Sequence, residues 1–190
     1  MKYAAGAQAL KAYRNEITAI RQKMRVALAQ IEPEEVIDYE FTTPAGNVRL
    51  SELFGAHEDL MVVHNMGISC PACTLWADGY NGVHQHIVSR TAFVMSSPDT
   101  PAVQQKFAAS RGWRFPIVSH VGSSFAADMG YRAANGSFRP GISVFRRLGD
   151  KIVRVSDAGW SPGDDFCTVY HFFDLLPEGV AGWSPRLTYP

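Results

Sequence analysis

Between residues 4 and 30, apolar side chains recur three and four positions apart: Leu10, Tyr13, Ile17, Ile20, Met24 and Leu28. That spacing draws one apolar stripe along a polar cylinder and predicts a single long helix, which Pro33 stops. The stripe has two uses: packing on the rest of the chain, or oligomerisation as a homodimer through a second copy of itself. Beyond Pro33 the period changes. Residues 36–41 alternate as a half-buried strand does, Pro44-Ala45-Gly46-Asn47 is turn chemistry, and Val48-Arg49-Leu50 reads as a return strand. Leu60-Met61-Val62-Val63-His64 is a continuous apolar run, the pattern of a central strand covered on both faces. A helix is predicted to begin at Cys70, a strand over 91–96 and a helix over 101–111. A short strand over 116–119 and a brief helix over 124–129, ended by Gly130, follow. Residues 142–147 and 152–155 flank Gly149-Asp150 as a hairpin. The last helix is predicted over 164–176, capped by Asp164 or Asp165 and closed by Pro177.

Strands alternating with helices, then a hairpin and a helix, indicate an α/β domain with a mixed sheet flanked by helices. The expected division is an N-terminal helix over 1–33 and a domain over 34–190. The 190 residues suit one domain, and 46% hydrophobic with 12% aromatic residues supplies a core without staples. Eighteen Lys plus Arg balance eighteen Asp plus Glu, so no net field favours nucleic acid or an anionic membrane. Charged residues are 19%, below the usual ~25%, which argues against disorder. No apolar run approaches the ~18 residues of a membrane span. Lys11, Arg14 and Glu16 interrupt any signal-peptide core, so a cytoplasmic protein is expected. Three cysteines are too few for a disulfide scaffold, and two of them sit as Cys70-Pro71-Ala72-Cys73.

The position of that pair is as informative as the motif. Cys70 follows a buried-looking strand by a few residues, and Pro71 suits the first turn of a helix. Cys70 is then placed at a helix N-terminus, where unpaired N–H groups and the helix dipole favour an anion. A free thiol titrates near ~8.5, whereas helix N-terminal and Cys-x-x-Cys thiols fall to ~3.5–7.5. Cys73, one turn further in, faces the same side within disulfide reach. Such a dithiol exchanges with another disulfide through a mixed-disulfide intermediate.

These residues carry a resemblance. The run from Gly46 to Gly55, Met61-Val62-Val63-His64 and Cys70-Pro71-Ala72-Cys73 resembles the entry to thioredoxin-like and peroxiredoxin-like domains. Downstream, residues 113–119 are similar to the peroxiredoxin-type strand, residues 126–131 to the helix and glycine after it, and residues 139–145 to the proline-led strand beside the active site. Cys73-Thr74-Leu75-Trp76-Ala77-Asp78-Gly79 and residues 164–177 look like the bacterial family DUF899, grouped with thioredoxin-like proteins and without an established reaction. The resemblance covers roughly residues 36–185, and the leading helix also has the family look. It implies a thioredoxin-like mixed sheet of peroxiredoxin-type layout, with Cys70 as nucleophile, Cys73 as resolving thiol and Pro140 in a cis-proline loop packed against them. The implied function is thiol–disulfide oxidoreduction without a cofactor. Its partners are a disulfide-bearing protein or small-molecule substrate and a thiol reductant. The chain departs from thioredoxin in having Ile68-Ser69, not Trp, before the first cysteine. Gly67 stands where peroxiredoxins carry a Thr three residues before the nucleophile, which speaks against a dedicated thiol peroxidase, kept as an alternative.

Other residues have a chemical and a structural reading. His64 ends the strand that feeds the cysteine loop; it would stabilise the thiolate or shuttle its proton, or else be a strand-end imidazole bonded to backbone, the favoured reading. Asp78 is a candidate proton acceptor and Trp76 a candidate substrate contact, and packing is the expectation for both. His84 and His86 lie about 200° apart on a helix, which suits solvated surface groups rather than joint ligands. Cys167 and His171, at i and i+4, would join Cys70 and Cys73 in a tetrahedral zinc set, the sharpest rival: a zinc-stabilised binding or structural module. A redox-silent interaction protein is the third reading.

Overall fold

The helical periodicity at the N-terminus becomes α1 (Tyr3–Leu28), the body of the first of two units, Met1–Pro33, in a computed structural model that describes residues 1–190. No residue of α1 is buried, and Leu10, Tyr13, Ile17, Ile20 and Met24 stand between 47% and 62% exposed.

The second unit, Glu34–Pro190, holds one eight-stranded sheet. In chain order its elements are β1 (Glu34–Val36), β2 (Glu40–Thr43), β3 (Gly46–Arg49), a short helical turn (Glu52–Phe54), β4 (Asp59–His64), α2 (Pro71–Val88) and β5 (Ala92–Ser97). There follow α3 (Pro101–Arg111), β6 (Ile117–Ser119), α4 (Phe125–Asp128), β7 (Gly141–Leu148), β8 (Lys151–Gly159) and α5 (Thr168–Phe173). The sheet runs β1-β8-β7-β4-β5-β6-β2-β3. β4, β5 and β6 are parallel, joined by α2 and α3 as crossovers, and β7 and β8 close the other side as an antiparallel hairpin. No helix is long and apolar enough to cross a membrane.

β4 shows why its sequence is apolar from Leu60 to Val63. Leu60 and Val62 join a core with Phe41, Phe54, Phe125 and Phe145, while Val63 joins a second core with Trp76, Ala77, Phe93 and Trp160. Side chains alternate across a strand, so both faces are covered, the second of them by α2.

Three expectations change. The segment 36–41 is not one strand: β1 pairs with β8 and β2 with β3 and β6, on opposite sides of the sheet order. Residues 37–39 leave the sheet between them, with Tyr39 buried and its hydroxyl donating to Asp128 at 2.9 Å. The last helix is only Thr168–Phe173. Asp164 does not cap it; its carboxylate accepts from the N–H groups of Ser161 and Phe166, each at 2.9 Å, a side-chain-closed turn that holds this stretch out of helix. The Arg139–Pro140 bond is not cis, since the chain contains no cis peptide. The strand ends around it are held instead by Arg139 N–H donating to Tyr131 and by Pro140 C=O accepting from Trp160 N–H, both at 2.9 Å.

Candidate functional site

The site begins where β4 stops. Asn65 N–H donates to the Ser96 carbonyl of β5, and its side-chain oxygen takes the Gly67 N–H at 2.7 Å. Ile68 N–H donates to Asp99 Oδ2 at 2.9 Å, and Cys70 N–H to the Gly67 carbonyl at 3.1 Å. Gly67 has φ +105°, and a Cβ there would stand 3.2 Å from Asp99 Oδ2. Glycine is the residue that allows the loop to turn this tightly over the Asp99 carboxylate.

Cys70 is the N-cap of α2, extended at φ −92° and ψ 105°, with Pro71 in the first turn. Its sulfur takes the place of a capping oxygen, accepting the Cys73 N–H at 3.1 Å. The Cys70 thiol is half-buried and Cys73 is only 3% exposed. A hydrogen bond from the Cys73 thiol lowers the Cys70 pKa to about 7; burial opposes this, and the N–H groups of Cys73 and Ala72 assist it. The same bond, with burial and the neighbouring charge, pushes the Cys73 thiol up. The arrangement makes the reachable sulfur the more acidic of the two and keeps the second, beside it, protonated.

The other predicted residues separate from this pair. His64, 2% exposed, faces the sheet side opposite α2, its ring stacked 3.8 Å from that of Tyr131. Its Nε2 pairs with Ser143 Oγ at 2.8 Å, a side-chain partner rather than the expected backbone one, and burial holds its pKa well below the usual value. It does not touch the thiols, and burial favours its uncharged form. Trp76 is buried against Trp160, at 5.4 Å between rings. Asp78 pairs with Arg111 and accepts from Trp113 Nε1 at 2.8 Å, so its carboxylate braces α2 on α3. His86 is exposed as expected, but His84 is half-buried beside Phe93 and Phe115, and burial lowers its pKa. The register pairs Gly141 with His64 and so puts Pro140 beside Asn65, at the end of the sheet from which the cysteine loop leaves.

The zinc set of Cys70, Cys73, Cys167 and His171 is not assembled: no three His, Cys, Asp or Glu side chains gather to hold a metal. Cys167 is not inside a helix with His171. It is the extended N-cap of α5, buried in the second core, while His171 is exposed with Nδ1 3.7 Å from Asp174.

Sequence reasoning missed the Asp99 clamp, although the turn chemistry of Ser97-Pro98-Asp99 at a strand end is its signal. It also missed an apolar cavity of about 470 Å3 lined by Trp76, Tyr80, Phe93, Ile142, Trp160 and Cys167, among others.

The fold is that of peroxiredoxins. Peroxidoxin BcpB from Mycobacterium tuberculosis is 22% identical, with a TM-score of 0.52 over 65% of this chain and 84% of that one. Reduced Prx3 from Vibrio vulnificus is 12% identical, with a TM-score of 0.57 over 70% and 89%. A peroxiredoxin-like protein from Aquifex aeolicus is 12% identical, with a TM-score of 0.53 over 67% and 74%. A search of curated proteins finds no match. The match that reaches nearly end to end is to a family, and it includes α1: over residues 3–184 this chain belongs to DUF899, bacterial proteins of unknown function.

Proposed function

We propose that this protein is a thiol–disulfide oxidoreductase in which Cys70 attacks and Cys73 resolves. The observation that carries the reading is the half-exposed Cys70 sulfur at the α2 N-terminus, acidified by hydrogen bonds from Cys73. The Cys70 thiolate attacks one sulfur of a substrate disulfide; a new S–S bond forms and the other substrate sulfur leaves as a thiolate that takes a proton from water. The Cys73 thiol, deprotonated as it reacts, then attacks Cys70, forming the intramolecular disulfide and releasing the second reduced substrate thiol. An external thiol reductant returns both cysteines to thiols. Pro140, beside the loop, shapes the surface the substrate meets.

A peroxide is the second substrate class, favoured by the peroxiredoxin fold of the neighbours. There the Cys70 thiolate cleaves the O–O bond, giving a sulfenic acid and an alcohol or water, and Cys73 condenses with it to release water.

The test supplies reduced protein with a disulfide substrate or with hydrogen peroxide and follows turnover under a dithiol reductant. Cys70→Ser is expected to abolish turnover, and Cys73→Ser to accumulate a Cys70 mixed disulfide visible by intact mass. Full activity in Cys70→Ser would defeat the assignment, and faster turnover of peroxide than of disulfide would favour the second substrate class.

A further inference from the structure

Thiol–disulfide exchange at this site puts negative charge on Cys73 twice. Its sulfur attacks as a thiolate to close the intramolecular disulfide, and leaves as one when an external thiolate attacks Cys70 and breaks that bond. Cys73 is only 3% exposed, so little water reaches the charge. A buried thiolate is costly unless hydrogen-bond donors already face it.

One donor from outside α2 is in place. The backbone N–H of Met66 donates to Cys73 Sγ at 3.5 Å. It is foremost among the N–H groups that favour the ionised form of this thiol. Met66 lies in neither helix nor strand, so no regular ladder sets the direction of its N–H. Asn65 sets it instead. The Asn65 Oδ1 accepts the Gly67 N–H at 2.7 Å, a side-chain-closed turn with Met66 at its centre. Asn65 is itself anchored, buried with its own N–H on the Ser96 carbonyl at 2.9 Å. Beyond the turn, Asp99 holds the Ile68 N–H at 2.9 Å. Cys70 has a different donor, the Cys73 N–H at 3.1 Å, so the two sulfurs are served by separate groups.

We propose that the Met66 N–H receives the charge on Cys73 in both directions of the exchange, and that Asn65 is the positioning residue that aims it. This rests on the thiol–disulfide reading and adds a division of labour within it. In the closing step the Cys73 thiol gives its proton to water and its sulfur bonds to Cys70 Sγ. The bond from Cys70 to the substrate breaks, with its electron pair on the departing sulfur. In the reducing step an external thiolate bonds to Cys70 Sγ and the Cys70–Cys73 bond breaks. Its electron pair settles on Cys73 Sγ, facing the Met66 N–H, until a proton arrives from water.

The experiment mixes reduced protein with one equivalent of dithiobis(nitrobenzoate) in a stopped-flow and follows release of nitrothiobenzoate. The first release reports attack by Cys70; the second, independent of reagent concentration, reports closure by Cys73. In Asn65→Ala the first is expected to stay within about twofold of wild type. The second is expected to slow about tenfold near neutral pH, with its pH midpoint raised by about one unit. Asn65→Ser, whose hydroxyl closes the same turn more weakly, is expected to restore part of the rate. An ester oxygen in place of the Met66 N–H, introduced by chemical ligation, removes the donor without touching Asn65. It is expected to slow the second release alone, and an unchanged second release in that protein overturns the proposal. Equal slowing of both releases in Asn65→Ala also overturns it, because the loop has then merely loosened, as does slowing of neither. A wild type that shows no second release overturns the thiol–disulfide reading as well. Normal wild-type closure beside unaffected variants overturns this inference alone.

Discussion

The backbone N–H of Cys73 points at Cys70 Sγ from 3.1 Å, and the Cys73 thiol donates to the same sulfur. One residue thus supplies two donors to its neighbour, and the effects on acidity are opposite: Cys70 falls and Cys73 rises. In the proposed chemistry that ordering makes Cys70 the attacking sulfur. It also agrees with access, since the acidified sulfur is the half-exposed one.

Replacing Cys73 by Ala removes the thiol donor and leaves the N–H in place. A hydrogen bond to a charged group contributes roughly 1.5–3 kcal/mol. Its loss is expected to move the Cys70 pKa upward by about one to two units from about 7. Ultraviolet absorbance of the thiolate across a pH titration measures this, and an unmoved midpoint would show that the backbone alone holds the charge.

The Asp99 clamp predicts a stability defect at the cysteine loop. Asp99→Ala strips the acceptor from the Ile68 N–H and the Ser97 hydroxyl. A buried donor left unpaired costs about 1–3 kcal/mol, which for a domain of this size lowers Tm by about 2–12 °C. Calorimetry reads the shift, and slower alkylation of Cys70 in the folded variant should accompany it.

A second position is set by contact rather than by turn geometry. A Cβ on Gly141 would stand 2.1 Å from Tyr131 Cε1 and 2.6 Å from the Ala158 carbonyl. Because the tyrosine ring is stacked on His64, it has little room to retreat. Gly141→Ala is expected to destabilise by about 1–3 kcal/mol, as overpacking of a core does. Urea unfolding measures it; a neutral substitution would mean that both the Tyr131 ring and the Ala158 backbone give way.

The two buried imidazoles make stability depend on pH. Burial lowers the pKa of His64 well below the usual value and that of His120 to about 4. Between about 6.5 and those folded values the unfolded chain binds protons that the native state does not, so stability falls as pH falls. From about pH 7.5 to about pH 5 His120 contributes a loss of about 2 kcal/mol, and His64 adds a loss of the same sign. His64→Phe, which keeps a ring against Tyr131, is expected to make the loss smaller. Denaturant midpoints at the two pH values check this, and an identical loss in the variant would place the effect elsewhere.

Much of this was legible in the sequence because it is local. The strand-to-helix junction at Cys70 follows from an apolar run and a proline, and the hairpin from Gly149-Asp150; both need only neighbouring residues. The structure departs from the reading where distant partners decide. Residues 36–41 alternate as a strand should, yet their two ends pair with different strands. Asp164 has the composition of a helix cap, but the N–H groups of Ser161 and Phe166 claim its carboxylate. Cys167 and His171 have ligand spacing, but the cysteine lies outside the helix that would align them. The Asp99 clamp spans 31 residues to Ile68 and leaves no periodic trace.

The most direct measurement is the rate of Cys70 alkylation against pH, with each thiol mapped by mass spectrometry. The account predicts that Cys70 reacts first, with a midpoint at about 7, while Cys73 and Cys167 lag across the same range. A midpoint at the ordinary thiol value of ~8.5, or Cys70 reacting no faster than the two buried thiols, would contradict it.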